Sequence, residues 1–282
     1  MIVSEIYAKL KEDFISAGIP EPESNATLLL EHFQGITRHD LLVRGDRELS
    51  DEEEEVIMAA EKRRLNREPL QYITGTTCFM GLDFSVDSRV LIPRPDTEIL
   101  VEEALKDLND GSRILDICTG SGCILISLLK YSNDCTGTGT DISADALEVA
   151  KQNAADILGE ENKAEFICGD LFDAVEGKFE MIVSNPPYIP TEIVKTLMPE
   201  VKDFEPMGAL DGTESGLYFY EKIIPEAKNY LTVGGQLLLG IGYDQGEAVE
   251  NIMKKEGYIE TKIIKDYAGL DRVVTGIKSV YL

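Results

Sequence analysis

Over the first 74 residues the apolar positions recur at helical spacing. Ile2, Ile6 and Leu10 form one stripe that Phe14 extends. Ala26, Leu29, Leu30 and Phe33 form a second, within a segment from Glu23 to Phe33. Ser50-Asp51-Glu52-Glu53 has the form of a capping box, so a third long helix is expected from there to about Asn66, with an acidic first turn that suits the helix dipole. Pro69 is expected to end the pattern. The period then changes. Thr76-Thr77-Cys78-Phe79 and Leu82-Asp83-Phe84-Ser85-Val86, joined through Met80-Gly81, read as a short hairpin. A helical N-terminal domain over 1–74 and a β-hairpin linker over 75–87 are therefore expected.

From about residue 88 strand and helix patterns alternate. Strands are expected at Arg113–Ile117, Thr136–Thr140, Ala164–Cys168, Met181–Ser184 and Gln236–Ile241. Helices are expected near Thr97–Leu108, Gly122–Tyr131, Asp145–Leu158, Leu217–Leu231 and Gln245–Lys255. This alternation predicts an α/β domain over 88–282, with a parallel sheet covered on both faces. The last segments, Tyr258–Lys265 and Arg272–Lys278, are separated only by a turn around Gly269. That is too short for a parallel crossover, so the sheet should end in an antiparallel hairpin.

Composition narrows the function classes. The hydrophobic fraction of 43% suits an ordinary globular core. No apolar run approaches the ~20 residues that span a bilayer, and the N-terminus has no signal-peptide pattern, so no membrane association is expected. The five cysteines are scattered and form no C-x-x-C pair, which predicts a reduced, cytoplasmic setting without a zinc site or disulfide frame. The two histidines, His32 and His39, both lie near the N-terminus, so the α/β domain offers neither a histidine base nor a histidine metal ligand, and no metal is expected. With 27 basic and 52 acidic residues the net charge is −25, which repels a polyphosphate unless positive charge is gathered in one patch. The candidate patch, Lys62-Arg63-Arg64 with Arg67, is expected on a solvated helix face, flanked by Glu61 and Glu68. No direct nucleic-acid contact is expected.

Asn185-Pro186-Pro187-Tyr188 follows the apolar run Met181-Ile182-Val183-Ser184, where a buried strand runs out into a loop. Two prolines stiffen the backbone and remove two N–H donors, leaving carbonyls free to accept. An asparagine acceptor, a rigid carbonyl and an aromatic ring suit a planar substrate bearing an NH2 group; carboxamides and the exocyclic amines of nucleobases both fit. Upstream, Ile114-Leu115-Asp116-Ile117-Cys118-Thr119-Gly120-Ser121-Gly122-Cys123 is a strand running into a Gly-rich turn, followed by a helix with apolar Ile124, Leu125, Leu128 and Leu129. Glycines there let the backbone approach a ligand, and the helix start presents free N–H groups. The spacing is neither the dinucleotide fingerprint nor a P-loop. It resembles the cofactor loop of class I S-adenosylmethionine (SAM) methyltransferases. Asp141, nineteen residues after Gly122, closes the next strand, where an acid can accept ribose hydroxyl protons or cap the following helix. Gly169-Asp170-Leu171 closes a third strand, and Asp170 and Leu171 are placed to meet an adenine amine and an adenine face.

From about residue 63 onward the chain resembles the HemK family, the N5-glutamine methyltransferases of peptide chain release factors. The resemblance is carried by Arg67-Glu68-Pro69-Leu70-Gln71-Tyr72-Ile73-Thr74-Gly75 and Ile92-Pro93-Arg94-Pro95-Asp96-Thr97-Glu98, then the Gly loop, Asp141 and Asn185–Tyr188. It continues through Phe204-Glu205-Pro206, Gly242-Tyr243-Asp244-Gln245-Gly246 and Ala268-Gly269-Leu270-Asp271-Arg272. It implies a class I SAM-methyltransferase (Rossmann-like) fold, SAM as cofactor with S-adenosylhomocysteine as product, and class 1 release factors as partners, docked with help from the helical domain. The acceptor would be the glutamine amide of a Gly-Gly-Gln motif. On this resemblance the Asn185 side chain and the Pro186 carbonyl take the two amide N–H bonds, Tyr188 covers the amide face and Pro187 keeps the loop stiff. Cys118, Thr119, Gly120, Ser121 and Gly122 line the methionine end of SAM, Asp141 takes the ribose, Leu171 with Asp170 the adenine, and Asn185 also borders the cofactor. Arg94 to Glu98 close the site, and helix capping is a second role open to Thr97 and Glu98.

The chain departs from the family at Cys118, which replaces the loop's usual first glycine and tolerates the same backbone only if φ stays negative. Gly240 stands where many relatives carry Glu, and Thr213 and Ser215 alter a Gly/Asp-rich segment. Asn-Pro-Pro-Tyr is shared with adenine-N6 methyltransferases of DNA or RNA, which are the alternative. A SAM-fold protein that binds without catalysis is a third reading, against which the intact Asn-Pro-Pro-Tyr argues.

Overall fold

The computed structural model describes residues 1–280. These form two compact units, one of Met1–Gly75 with Met198–Phe204, the other of Thr76–Leu197 and the residues from Glu205 onward.

The first unit is helical: α1 (Val3–Ser16), α2 (Pro22–Gln34), α3 (Arg38–Val43), α4 (Asp51–Leu65) and α5 (Leu70–Thr74). The expected stripes form its core, where Val3, Ile6, Leu10 and Phe14 meet Ala26, Leu29, Leu30 and Ile57. Ile2 is the N-cap residue of α1 and Val3 takes its place in the stripe. The capping box is present: Ser50 Oγ accepts from the Glu53 N–H at 3.2 Å, and the Glu53 carboxylate accepts from the Ser50 N–H at 2.9 Å. Pro69 does not end the pattern. α4 stops at Leu65, and Pro69, having no N–H to leave unpaired, opens α5. The basic cluster is a solvated face only in part: Lys62 and Arg63 are exposed, Arg67 is half-buried and Arg64 is turned inward. Arg64 is buried, donating to Asn25 Oδ1 at 2.7 Å and to Glu200 at 3.0 Å; Arg67 reaches the same carboxylate at 2.8 Å, and Arg63 pairs with Glu68 at 2.6 Å. Carboxylates and an amide oxygen engage these guanidinium groups, and for the buried Arg64 such partners are required.

The second unit opens with the hairpin β1 (Thr76–Phe79) and β2 (Leu82–Ser85), whose register pairs Phe79 with Leu82 across Met80-Gly81. A 3-10 turn (Pro95–Thr97) leads into α6 (Glu98–Asp107), β3 (Arg113–Ile117), α7 (Cys123–Tyr131), β4 (Thr136–Asp141), α8 (Ala144–Leu158), β5 (Ala164–Cys168) and β6 (Phe179–Ser184). Short helical turns α9 (Thr191–Val194), α10 (Pro199–Lys202, in the first unit) and α11 (Met207–Leu210) precede α12 (Tyr218–Ala227), β7 (Leu231–Gly240), α13 (Gly246–Lys255), β8 (Ile259–Lys265) and β9 (Asp271–Ile277). The sheet order is β5-β4-β3-β6-β7-β9-β8. Its first five strands are parallel, and β9 runs antiparallel to both β7 and β8, as the short turn at Gly269 requires.

Alternate strand residues face opposite layers. Ile114, Val183 and Leu238 join a core with α6 and α7, while Leu115, Ile182 and Leu239 join one with α12 and α13. Strand order reverses between β3 and β6, and an open α/β sheet binds its ligand in the crevice at that point. The loops after β3, β4, β5 and β6 carry the candidate residues.

Candidate active site

The Gly loop leaves β3 in an unusual backbone. Cys118, Gly120 and Gly122 have φ of 61°, 54° and 79°. The condition of a negative φ at Cys118 is not met: a residue with a Cβ occupies the left-handed region here. The loop is held in that shape by its neighbours. Thr119 N–H donates to the Thr140 carbonyl at 2.9 Å, and Gly120 N–H donates to Asp141 Oδ2 at 2.9 Å. Asn153 reaches the Ser121 carbonyl at 2.9 Å, and Ser184 Oγ holds the Ile117 carbonyl at 2.6 Å. Packing alone requires a glycine at 122, since a Cβ there would press on Ile126 at 2.8 Å and Ala150 at 3.2 Å.

Two carboxyls stand behind this loop. Asp116 is fully buried; its Oδ2 accepts from Thr119 Oγ1 at 2.6 Å, and its Oδ1 has no hydrogen-bond partner among the described residues. Burial pushes its carboxyl up to about 7. Asp141 uses one oxygen for Gly120 N–H and the other for Ser143 N–H at 2.9 Å. It is not the cap of the following helix: Ser143 is, accepting from Ala146 N–H at 3.1 Å. Burial raises the Asp141 carboxyl, against the pull of those backbone donors.

The Asn-Pro-Pro-Tyr corner leaves β6, the neighbour of β3. Pro186 and Pro187 are buried, Asn185 and Tyr188 half-buried. Gln245 Nε2 donates to the Tyr188 carbonyl at 3.0 Å and to the Gly216 carbonyl at 3.2 Å, while its Oε1 accepts from Gly242 N–H at 2.9 Å. Gly216, at φ 72°, lies so close that a Cβ would stand 2.5 Å from the Tyr188 oxygen, so only glycine fits. Asn185 Nδ2 approaches Thr97 Oγ1 at 3.5 Å. Thr97 makes no side-chain cap on α6, and Glu98 accepts from Met80 N–H at 2.6 Å, so neither takes the capping role open to it. Asn185 Oδ1 and the Pro186 carbonyl accept no hydrogen bond from any described residue. Both acceptors are therefore available to a ligand.

A cavity of about 680 Å³ joins these loops. Cys118, Thr119, Gly120, Ser121, Asp141, Asp170, Leu171, Asn185 and Pro187 line it; Gly122, Pro186 and Tyr188 do not. Tyr188 instead feels Asp96, Arg272 and Arg94, and burial raises its hydroxyl. Arg94 is tied to the buried Glu205, which also accepts from Ile92 N–H at 3.2 Å, and Asp96 pairs with Arg272 at 3.1 Å. Sequence reasoning missed three features of the site: Ile142, Met207 and Phe219 on the cavity wall, the clamp made by Gln245, and the closeness of Gly216 to Tyr188. Gln245 had been legible only as part of a Gly-Tyr-Asp-Gln-Gly run.

The cavity is of cofactor size. Its apolar walls at Leu171 and Ile142 suit a purine ring, each Asp141 oxygen keeps a lone pair for a ribose hydroxyl, and Thr119 and Ser121 offer hydroxyls beside the loop amides. Sheet order, loop and acid together define a class I SAM-dependent methyltransferase. A crystal structure of a methyltransferase from Pyrococcus furiosus has the same fold, at 19% identity and a TM-score of 0.54 over 82% of this chain and 100% of that one. Residues 5–75 match the PrmC N-terminal domain, and residues 95–199 the methyltransferase small domain. A release factor glutamine methyltransferase from Caulobacter vibrioides is 40% identical over 97% of this chain and 95% of its own length. One from Agrobacterium fabrum is 40% identical over 92% of each. The chain belongs to the release factor glutamine methyltransferase family.

Proposed function

We propose that this protein transfers the methyl group of SAM to the side-chain amide nitrogen (N5) of the glutamine in the Gly-Gly-Gln motif of class 1 peptide chain release factors, tuning translation termination in the cytoplasm. The observation that carries this reading is the pair of unengaged acceptors, Asn185 Oδ1 and the Pro186 carbonyl, on a corner that two prolines and Gln245 hold stiff next to the cofactor cavity. A primary amide offers two N–H donors, and two fixed acceptors match them. Taking both orients the nitrogen and draws electron density toward it, which favours its pyramidal form over the delocalised planar one. Tyr188 covers one amide face, and Pro187 keeps the corner from yielding.

When SAM is bound, its sulfonium supplies an activated methyl electrophile. Thr119, Gly120 and Ser121 with Cys118 would hold its methionine end, Asp141 its ribose, and Leu171 with Asp170 its adenine. SAM held there would supply the methyl group and leave as S-adenosylhomocysteine, with the carbon–sulfur pair on sulfur, while the amide nitrogen would give up one proton to solvent water. The chain's contribution is alignment and acceptor electrostatics, consistent with a site that has no histidine. Residues 1–74 serve to dock the partner, 75–87 link, and 88–282 carry the chemistry. Direct nucleic-acid binding is not part of this reading, and the engagement of Arg63, Arg64 and Arg67 by carboxylates supports its exclusion. Among the described residues no helix is long and apolar enough to cross a membrane.

Incubating the protein with methyl-labelled SAM and either a class 1 release factor or nucleic acid tests the reading. Label is expected on the glutamine of Gly-Gly-Gln, located by peptide mass spectrometry. Label on adenine alone, or on neither, overturns it.

A further inference from the structure

We infer that Gly240 is a positioning residue: its missing side chain forms the recess in which the Asn185 carboxamide sits, and that recess sets where the acceptor oxygen stands. The inference deepens the reading of Asn185 above and rests on it for its kinetic consequence.

Gly240 ends β7, after the fully buried Leu237, Leu238 and Leu239, and is itself buried. A glycine inside a strand loses packing and costs chain entropy, so it marks a bulge, a bend or a close approach. Its φ is not in the left-handed region, so the backbone does not demand glycine. The reason is steric. A Cβ built on Gly240 overlaps Asn185 Oδ1 and lies 3.1 Å from its Cγ and 3.3 Å from its Cβ.

Which partner would move is decided by what holds each. Gly240 is paired in the ladder with Val273, and its carbonyl accepts from the fully buried Tyr220 hydroxyl at 2.8 Å. The strand is pinned on both counts. The carboxamide has one side-chain tether, the long approach of Nδ2 to Thr97 Oγ1 at 3.5 Å. That tether sets its sense, NH2 toward Thr97 and oxygen toward Gly240. A methyl group at 240 must therefore displace the Asn185 oxygen, by about 1 Å for ordinary contact distances.

Gly240→Ala and Asn185→Ala, singly and together, form the test. In Gly240→Ala, kcat with a class 1 release factor should fall about 10²-fold, the cost of a misplacement of this size, while the SAM dissociation constant by calorimetry stays within about threefold. A kcat within about threefold of the native value, or a higher one, overturns the inference. Urea unfolding supplies a readout independent of methyl transfer. Gly240→Ala should lower the folding equilibrium constant about tenfold in the native background, as overpacking does, and much less in the Asn185→Ala background, where the overlapping atoms are gone. If Gly240→Ala does not fold, recovery of folding in the double variant supports the contact. Equal losses in both backgrounds, or failure to fold in both, overturn it. Because the unfolding cycle reads the contact itself, it stands or falls separately from the identity of the methyl acceptor.

Discussion

The loops that leave the neighbouring strands β3 and β6 are made firm by opposite means. After β3 the chain turns through three left-handed residues, Cys118, Gly120 and Gly122, and carboxyls brace it from behind: Asp116 through Thr119, and Asp141 through the Gly120 amide. After β6 the corner has no left-handed residue from Asn185 to Tyr188; two prolines stiffen it, and the neutral Gln245 amide and Gly216 clamp it. The first loop uses backbone freedom to bring amides close to a ligand, and its braces titrate. The second uses rigidity to hold acceptors still, and its brace does not. On the proposed function, the first kind would meet a cofactor that binds and leaves each cycle, and the second a weak nucleophile that must be aligned.

Five substitutions separate the two loops. The largest effect belongs to the rigid corner. Asn185→Ala should lower kcat about 10²–10³-fold, in the range for loss of one group from a preorganised polar site, and leave the SAM dissociation constant little changed. Single-turnover methylation of a release factor, with calorimetry on the same variant, checks both halves. Turnover near the native rate would remove Asn185 from the chemistry.

Next comes the titrating brace. Asp116 has its carboxyl raised from 3.8 to about 7 in the fold, so the folded protein keeps a proton that the unfolded chain releases. The stability tied to that proton is complete below about pH 4 and is lost as pH rises through 7. Asp116→Asn, neutral at every pH, should flatten that slope. At pH 8 it should be more stable than the native protein by roughly 2 kcal/mol, less than the full shift at ~1.4 kcal/mol per unit because its NH2 group lacks a partner. Urea unfolding from pH 4 to 8 measures this, and an unchanged slope would mean that the folded carboxyl is ionised throughout. No matching slope is expected from Gln245→Leu, which breaks the neutral clamp.

Smaller still is Asp141→Asn. The amide keeps one oxygen for a backbone N–H but loses the charged acceptor that the proposed function assigns to the ribose, so SAM should bind about tenfold more weakly, with kcat at saturation nearly intact. Unchanged affinity by calorimetry would leave Asp141 as a brace alone.

How much of this was legible differs between the loops for the same physical reason. Side-chain chemistry is written in the sequence. Asn185-Pro186-Pro187-Tyr188 shows its prolines and its acceptor, and the unbroken apolar run Leu237-Leu238-Leu239 fits a strand buried on both faces. The hairpin of β1 and β2 and the antiparallel end of the sheet were readable from turn length. What sequence did not show was set by close packing between distant segments. Gly216 and Gln245 act on Tyr188 across 28 and 57 residues of chain, and Glu200 neutralises Arg64 across 136. The expected solvated basic face failed at Arg64 on that last pairing, while Lys62 and Arg63 stay exposed. Cys118 failed differently: its residue type argues for negative φ, and the bonds on either side of it, from Ser184 to the Ile117 carbonyl and from Thr119 to Thr140, override the preference.

That override makes Cys118→Gly the finest test of the contrast. A left-handed backbone costs an L residue roughly 1–2 kcal/mol, which glycine does not incur, while glycine adds about 0.5–1 kcal/mol of unfolded-chain entropy and forgoes the packing of a half-buried thiol against the α12 core. These effects oppose each other. The variant should therefore be stabilised by less than about 1 kcal/mol in urea unfolding, with SAM affinity unchanged, because the loop amides keep their places. The thiol itself is inert, since burial and the nearby Asp141 and Asp116 hold it in its protonated form, so alkylating reagents should not distinguish the native protein from the variant at this position. A loss of more than about 1 kcal/mol, beyond what the entropy of glycine accounts for, would show that the Cys118 side chain, and not the bonds of its neighbours, holds the loop in its left-handed turn.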